Sequence, residues 1–187
     1  MILTLLSVVA CNQQHLTVLD ATIINDSFLE VVDTEAYHYN TLLPPPPVST
    51  NELQEQDVNL KRIIIVDTIL SSPEKYYPSA LGFISDHVEY GYYASLFKEQ
   101  KPFIPFDVRN LTNTGLYTLI TPQKGAVREN VLGMVSFSWC LYNEEKNRAA
   151  YFTTISTGSK AGVVMLILLR KVNQQWQVVD KDSFERW

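Results

Sequence analysis

The length, composition and charge of the chain exclude several classes of protein. Its 187 residues suit a single domain, and a hydrophobic content of 46% with a charged content of 19% indicates a globular fold. A net charge of −5 without a basic stripe argues against a nucleic-acid-binding protein, and two cysteines cannot form a disulfide framework.

The first ten residues form a short apolar segment that ends at a cysteine. The sequence VVAC at residues 8–11 resembles a bacterial lipobox, with an aliphatic residue at −3, a small residue at −1 and cysteine at +1. The segment is too short to span a bilayer, which takes about 20 residues, and is typical of a signal peptide. We therefore expect residues 1–10 to be a lipoprotein signal peptide, Cys11 to carry the lipid and residues 11–22 to be a tether. The alternative is a buried first strand.

The remaining residues, 23–187, are predicted to form one domain that begins with a helix and a proline-rich loop. Asp26 or Ser27 is suited to cap a short helix, because the residues after them place apolar side chains on one face. Four consecutive prolines then predict an extended loop near residues 44–58. This loop is interpreted as a stiff surface spacer, with a ligand for a proline-recognition domain as the alternative.

The middle of the chain predicts a strand, a helix and a second strand. The apolar run within residues 60–70 predicts a buried strand. Two prolines, Pro73 and Pro78, are expected to break the chain after it. Residues 85–100 then predict a helix capped by Ser85 or Asp86, because apolar residues recur there at four-residue spacing. A short strand is predicted at residues 116–120.

From residue 131 onward the sequence predicts an antiparallel meander. Four apolar segments, residues 131–142, 148–157, 163–171 and 176–184, are separated by short polar turns. The third segment is apolar on both faces, so we expect it to be central and covered on both sides. The predicted fold class is α+β, an antiparallel C-terminal β-meander sheet packed by N-terminal helices. A cone-like sheet cradling a helix, as in nuclear-transport-factor-2-like domains, is one possible form by analogy.

The C-terminal block resembles a family of uncharacterised bacterial lipoproteins and secreted proteins, mainly over residues 111–187. Its pattern is a serine-bearing strand that leads to Asn, a charged turn, a Gly-bearing loop, a Lys-x-Asn turn and a Trp-x-Val ending. The matching positions are Ser138, Asn143, Ala149, Gly158, Gly162, Lys171, Asn173, Trp176 and Val178. Tyr142 stands where the family usually has Phe, and the cysteines that many relatives have between the second and third strands are missing. The resemblance implies a cell-envelope protein and carries no activity to transfer.

Candidate binding residues lie on one predicted strand and one predicted helix. The strand has a polar-leaning face that is suited to lining a shallow pocket, or else to facing solvent or a helix: Ser136, Ser138, Cys140 and Tyr142. The helix carries His87 beside acidic residues, and it carries Tyr92 in a tyrosine-rich segment. Tyrosine clusters can form binding surfaces, and they also pack half-buried against sheets.

The sequence contains no motif for catalysis or metal binding. It has neither a G-x-S-x-G elbow nor a metal-binding His or Cys spacing, so no cofactor and no metal is predicted. The leading hypothesis is a non-enzymatic, membrane-anchored lipoprotein of the bacterial cell envelope that binds an envelope protein, a peptide or a small ligand. Its partners are then the membrane, through the lipid on Cys11, and such a ligand, and not nucleic acid. The alternatives are a hydrolase with an unrecognised site, for which Ser138 and His87 are one candidate pair, and an immunity-type protein.

Overall fold

The described part of the chain is built around one seven-stranded sheet with helices on both faces. A computed structural model of the chain describes residues 19–32, 62–67, 73–98, 107–115, 117–122, 131–158 and 161–187. The predicted signal peptide, the predicted lipidation site Cys11 and the predicted proline-rich loop near 44–58 lie outside the described residues.

In the described chain every helical element precedes β2, and only strands follow it. The helical elements are α1 (residues 19–32), α2 (Tyr77–Asp86) and 3-10 helices at Pro73–Tyr76, Val88–Lys98 and Val108–Asn110. The strands are β1 (Arg62–Asp67), β2 (Tyr117–Ile120), β3 (Val131–Phe137), β4 (Leu141–Tyr142), β5 (Arg148–Gly158), β6 (Ala161–Val172) and β7 (Gln175–Arg186). The strands predicted within residues 60–70 and at residues 116–120 are therefore confirmed as β1 and β2.

The sheet has a parallel half and an antiparallel half. Its strand order is β2-β1-β3-β5-β6-β7, and β4 pairs with β5 beside this path. β1 runs parallel to β2 and β3, whereas β3, β5, β6 and β7 form antiparallel neighbours. The α+β class with an antiparallel C-terminal meander is confirmed. Helices cover both faces of this sheet, whereas the cone-like analogy has the sheet cradling one helix.

β6 is buried on both faces, as its apolar sequence predicts. One face contributes to a core beneath α1, called here the α1 core, through Val163, Met165, Ile167 and Leu169. The other face contributes to a core beneath α2 and the 3-10 helix Val88–Lys98, called here the α2 core, through Val164, Leu166 and Leu168. Since neighbouring residues of a strand point to opposite faces, a continuous apolar run is what a strand between two helical layers requires.

α1 begins earlier than the sequence analysis predicts. The helix already includes residues 19–22, which were assigned to the tether, and the predicted caps Asp26 and Ser27 lie inside it. Ile24, Phe28 and Val32 recur at four-residue spacing and are all fully buried in the α1 core. Because the amphipathic pattern starts before Asp26, the predicted helix start at Asp26 or Ser27 is wrong.

Polar side chains of α1 bind backbone N–H groups of distant segments. The hydrogen bonds run from Cys140 N–H to the Asp20 carboxylate (3.3 Å), from Thr112 N–H (2.7 Å) and Asn113 N–H (2.8 Å) to the Asn25 amide oxygen, and from Trp176 N–H to the Asp26 carboxylate (2.9 Å). These side chains accept hydrogen bonds from N–H groups at irregular or terminal points of the sheet and its loops. α1 is therefore fastened to the domain along its length.

A buried hydroxyl pair also joins α1 to the sheet. The Tyr151 hydroxyl lies 2.9 Å from the Ser27 hydroxyl, and Ser27 donates its own hydrogen to the carbonyl of Ile23 at 2.9 Å. The Tyr151 hydroxyl therefore donates to Ser27. Burial raises the pKa of Tyr151 above its ordinary value, because the phenolate would lose its hydration.

This raised pKa is expected to make the protein less stable in alkali. Above about pH 10 the unfolded chain loses the Tyr151 proton while the folded chain keeps it, so the free energy of unfolding falls as pH rises. Tyr151→Phe should reduce that slope by up to about 1.4 kcal/mol per pH unit. Urea denaturation at pH 9, 10 and 11 measures the slope, with Tyr92→Phe as the control at an exposed tyrosine. An unchanged slope in Tyr151→Phe contradicts the expectation.

A bulge interrupts the strand that was predicted at residues 131–142. Phe137 pairs with Thr153, and Leu141 pairs with Ala150. Residues 138–140 between β3 and β4 therefore face only residues 151–152 of β5, which leaves one extra residue on the first strand. The extra residue shifts the alternation of side chains. Cys140 therefore lies in the α1 core and Leu141 in the α2 core, and each is almost completely buried.

The helix predicted at residues 85–100 is two elements in the structure. α2 ends at Asp86, His87 has an extended backbone (φ −126°, ψ 97°), and the 3-10 helix Val88–Lys98 follows. Ser85 and Asp86 therefore end a helix and do not cap one. Pro78 lies in the first turn of α2, where a missing N–H costs no hydrogen bond, so this proline begins a helix and does not break the chain.

Gly162 makes room for the last residue of the chain. Its N–H and C=O exchange hydrogen bonds with Trp187 at 2.9 and 3.1 Å. A Cβ atom at Gly162 would lie 2.4 Å from Cζ2 of the Trp187 ring, which is closer than carbon atoms pack.

Gly162→Ala is therefore expected to displace the Trp187 ring and to cost about 1–3 kcal/mol of unfolding free energy. In a Trp187→Ala background the same change should be neutral or stabilising, because alanine is better than glycine in a strand. Urea denaturation of the four proteins gives the coupling energy. An equal cost in both backgrounds would show that the ring does not set the requirement for glycine.

Candidate functional site at the turn end of the sheet

Two turns meet at one end of the sheet, called here the turn end. Residues 143–147 connect β4 to β5, and residues 173–174 connect β6 to β7 with positive φ at both positions, as a tight hairpin turn requires. The Lys171 N–H donates to the Asn147 carbonyl at 2.8 Å, which joins the two hairpins. The turn end is therefore a braced surface of the sheet.

Asn143 holds the first turn together through its side chain. Its amide oxygen accepts hydrogen bonds from the N–H groups of Asn147 (3.0 Å) and Arg148 (2.9 Å), and its NH₂ group donates to the Asn147 side chain (2.8 Å) and to Glu145. Lys146 adopts a positive φ of 51° within this turn. These bonds fix the backbone from which the neighbouring charged side chains project.

A cleft of about 440 Å³ opens beside this turn. It is lined by Ser95 and Leu96 of the 3-10 helix Val88–Lys98, by Tyr142 and by residues 143–146. Burial raises the pKa of Tyr142 to about 12, and the negative charge of Asp20 adds to the effect. The Tyr142 phenol is therefore protonated at neutral pH, so the cleft offers a hydroxyl donor, an amide, carboxylates and an ammonium group.

Two arginines lie directly opposite each other next to this cleft. Arg148 begins β5 and faces Arg170 of β6, and these two residues are called here the arginine row. Gln177 of β7 faces Arg170 in turn. Ala150 and Leu168, one alternation further along the same strands, belong to the α2 core. The arginine row therefore lies on that face where the helical cover ends.

Two tyrosines of the 3-10 helix Val88–Lys98 adjoin the arginine row. The guanidinium carbon of Arg148 lies 4.7 Å from the centre of the Tyr92 ring, within the range of a cation–π contact. The Tyr93 hydroxyl donates to the Leu169 carbonyl at 3.0 Å. Burial raises the pKa of Tyr93, and the positive charges of Arg148 and Arg170 act in the opposite direction. The positive charges of both guanidinium groups thus influence the pKa of the same hydroxyl, that of Tyr93.

Neither arginine of the row forms an ion pair within the described residues. Neither Arg148 nor Arg170 contacts a carboxylate at ion-pair distance among them, whereas the exposed Arg109 does so with Asp107. Like charges directly opposite each other in an antiparallel pair repel and are destabilising. The row therefore places two positive charges without a direct ion pair on a chain whose net charge is −5.

The structure separates the residues that the sequence analysis placed on one strand face. Ser136 points away from the α1 core, because its neighbours Val135 and Phe137 belong to that core, whereas Cys140 and Tyr142 lie on the α1 side. The predicted shared face is therefore wrong, and the reason is the bulge at residues 138–140.

Ser138 and His87 bind other groups and not each other. The Ser138 hydroxyl donates to the Trp139 carbonyl (2.8 Å) and accepts from the Phe152 N–H (2.9 Å), and the residue is 3% exposed. The Nδ1 atom of His87 lies 2.8 Å from the Phe83 carbonyl. The Ser138–His87 pair, one assignment within the hydrolase alternative, is therefore not formed.

Tyr92 is the predicted candidate that joins the turn-end site. It is 70% exposed and stacks with Arg148. Arg148 and Arg170 escaped the sequence analysis, since each is an ordinary charged residue at a strand end. Antiparallel pairing of the predicted strands 148–157 and 163–171 brings both arginines to the same end of the hairpin, but their direct opposition also depends on the register shift between Ser156 and Gly158, which the sequence does not indicate.

Comparisons with known proteins do not assign the chain to a family. No protein-family model, curated protein or solved structure matches it. Within the described ranges, no cluster of His, Cys, Asp and Glu is placed to hold a metal ion. No helix in the part of the chain that the structure describes is both long and apolar enough to cross a bilayer. Function must therefore be argued from the chain's own residues.

Proposed function

We propose that this chain is a cell-envelope lipoprotein, acylated at Cys11, whose α+β domain is a non-enzymatic binding module. The observation that carries the proposal is the VVAC sequence at residues 8–11, which precedes by eight residues the part of α1 that begins at residue 19. The resemblance of residues 111–187 to bacterial lipoproteins and secreted proteins agrees with it. In this account the proline-rich segment near 44–58 is a spacer.

The attachment of α1 to the sheet means that a lipid on Cys11 would limit the distance between the domain and the membrane. Because α1 is fastened along its length, a lipid on Cys11 holds the domain close to the membrane: eight residues span at most about 28 Å. The N-terminal end of α1 lies at the turn end, where Asp20 accepts from Cys140 and acts on the pKa of Tyr142. The described start of α1, to which the tether connects, and the cleft therefore lie at the same end of the domain.

The hydrogen bonds of the candidate polar side chains and the lining of the cleft favour binding over catalysis. The Ser138 hydroxyl is engaged by backbone groups on both sides and the residue is 3% exposed, so it is not presented to a substrate as a nucleophile. The turn-end cleft instead gathers donors, acceptors and charges of both signs on a braced turn, which suits recognition of a polar partner. The proposed ligand class is an envelope protein, a peptide or a small polar molecule.

Acylation can be tested by metabolic labelling of the full chain in bacteria with an alkyne-bearing fatty acid. The chain has two cysteines, so Cys140→Ala is a matched control for Cys11→Ser. We expect the wild type and Cys140→Ala to take up the label and to sediment with membranes, and Cys11→Ser to remain unlabelled. A wild type without label, or label retained by Cys11→Ser, would overturn the proposal.

A further inference from the structure

We propose that the arginine row at the turn end is a binding site for an anionic group of the phosphate class. The proposal deepens the binding function proposed above and rests on it. The site consists of the guanidinium groups of Arg148 and Arg170, with Tyr92 stacked against the first of them. It differs from the cleft in the ligand it suits, because the cleft has carboxylates in its lining and the row has none.

The opposed register of the two arginines is the first argument. Cβ atoms of directly opposed residues lie about 5 Å apart, so two guanidinium groups emerge side by side on one face. Without an anion this arrangement is repulsive, and within the described residues no carboxylate lies at ion-pair distance from either arginine. A phosphate oxygen pair between the groups replaces the repulsion with charge-assisted hydrogen bonds, which planar guanidinium groups form in bidentate geometry.

The surroundings of the row are the second argument. Tyr92 holds the Arg148 guanidinium by its ring face and leaves the N–H groups at the edge of the guanidinium plane free to donate. Leu168 is fully buried whereas Arg170, two residues later on the same strand face, is exposed. The row therefore stands at the border between core and solvent, where one side of an anion is held and the other remains accessible.

The position of the row relative to the proposed anchor is the third argument. The N-terminal end of α1 lies at the turn end, so a lipid on Cys11 brings the row within reach of the bilayer surface. Cationic side chains near an anionic bilayer are attracted to its surface. The phosphate group can accordingly come from a lipid headgroup or from a free phosphate compound, and the test separates these two sources.

The first arm of the test uses the acylated full chain in detergent and follows thermal unfolding with sodium phosphate or sodium chloride at equal ionic strength. The variants are Arg148→Gln and Arg170→Gln, and the matched control is Arg186→Gln, which removes the same charge at the other end of β7. If free phosphate is the ligand, phosphate raises the midpoint for the wild type and Arg186→Gln, and each row variant weakens apparent phosphate affinity about 10- to 100-fold. Without phosphate, Arg170→Gln is expected to be at least as stable as the wild type because a repulsion is removed, whereas Arg148→Gln also loses its contact with Tyr92.

The second arm measures binding to vesicles of phosphatidylglycerol and of phosphatidylcholine. All proteins here carry Cys11→Ser, so that an acyl chain does not hold them on the vesicles. If a headgroup is the source, phosphatidylglycerol is preferred by the parent protein and by Arg186→Gln, and the preference is lost in both row variants. Phosphate sensitivity in the first arm or lipid preference in the second, dependent on both arginines, supports the proposal.

The proposal is overturned if neither arm shows an anion effect, or if the row variants behave as Arg186→Gln does. That failure is distinguishable from failure of the proposed function, because fatty-acid labelling of Cys11 is read independently of the arginines. A labelled protein with an inert arginine row would remain a lipoprotein, with its binding surface elsewhere.

Discussion

Replacing Phe28 by alanine is expected to lower the free energy of unfolding by about 3–5 kcal/mol. The Phe28 side chain is fully buried in the α1 core, where its ring centre lies 6.4 Å from that of Tyr117 and 6.3 Å from that of Phe137. Truncation removes apolar contacts with both halves of the sheet, since Tyr117 belongs to β2 and Phe137 to β3. Urea denaturation of the purified full chain measures the change.

The control for this prediction is Thr22→Ala, an exposed position on the same helix. It is expected to change the free energy of unfolding by no more than about 0.5 kcal/mol. A cost below about 1 kcal/mol for Phe28→Ala would mean that α1 is an appendage and not part of the domain. The short link between α1 and Cys11 would then not hold the domain close to the membrane.

Leu166→Ala and Ile167→Ala are each expected to cost about 2–5 kcal/mol, although the two residues are neighbours in the chain. Leu166 is fully buried in the α2 core and Ile167 is fully buried in the α1 core. In most antiparallel sheets one of two adjacent residues faces water and tolerates truncation. Here both changes leave cavities, because β6 is covered on both sides.

Equilibrium urea denaturation compares these variants with Val179→Ala, which truncates an apolar side chain that is 40% exposed on the neighbouring strand. That control is expected to change the free energy of unfolding by about 0.5 kcal/mol or less. Tolerance of either Leu166→Ala or Ile167→Ala would show that one of the two helical layers does not cover β6.

Those parts of the fold that depend on local pattern could be predicted from the sequence. The unbroken apolar run of β6 predicted a central, doubly covered strand, and the polar turns predicted the hairpins around it. The parallel pairing of β1 with β2 and β3 could not be predicted, because apolar periodicity marks a strand without naming its neighbours. The start of α1 was misplaced because polar residues suited to capping, Asp26 and Ser27, instead bind other segments from inside the helix.

The candidate site could be predicted only in part, because a bulge and long-range packing decide which side chains share a surface. Ser136 and Ser138 were placed with Cys140 and Tyr142 by strict alternation, and one inserted residue in the bulge reversed that alternation. Tyr92 was named for its setting among tyrosines, yet its partner Arg148 lies 56 positions away in the chain and meets it only through packing. Long-range register, not residue type, decides which charged side chains share a surface.

The intact mass of the mature protein, purified from the membranes of the cells that make it, tests the central claim most directly. The account predicts the mass of a chain that begins at Cys11 and carries two or three acyl chains. A mass that retains Met1 and includes no lipid would contradict it. Residues 1–10 would then belong to the mature chain, and the envelope location and the membrane-proximal arginine row would lose their basis.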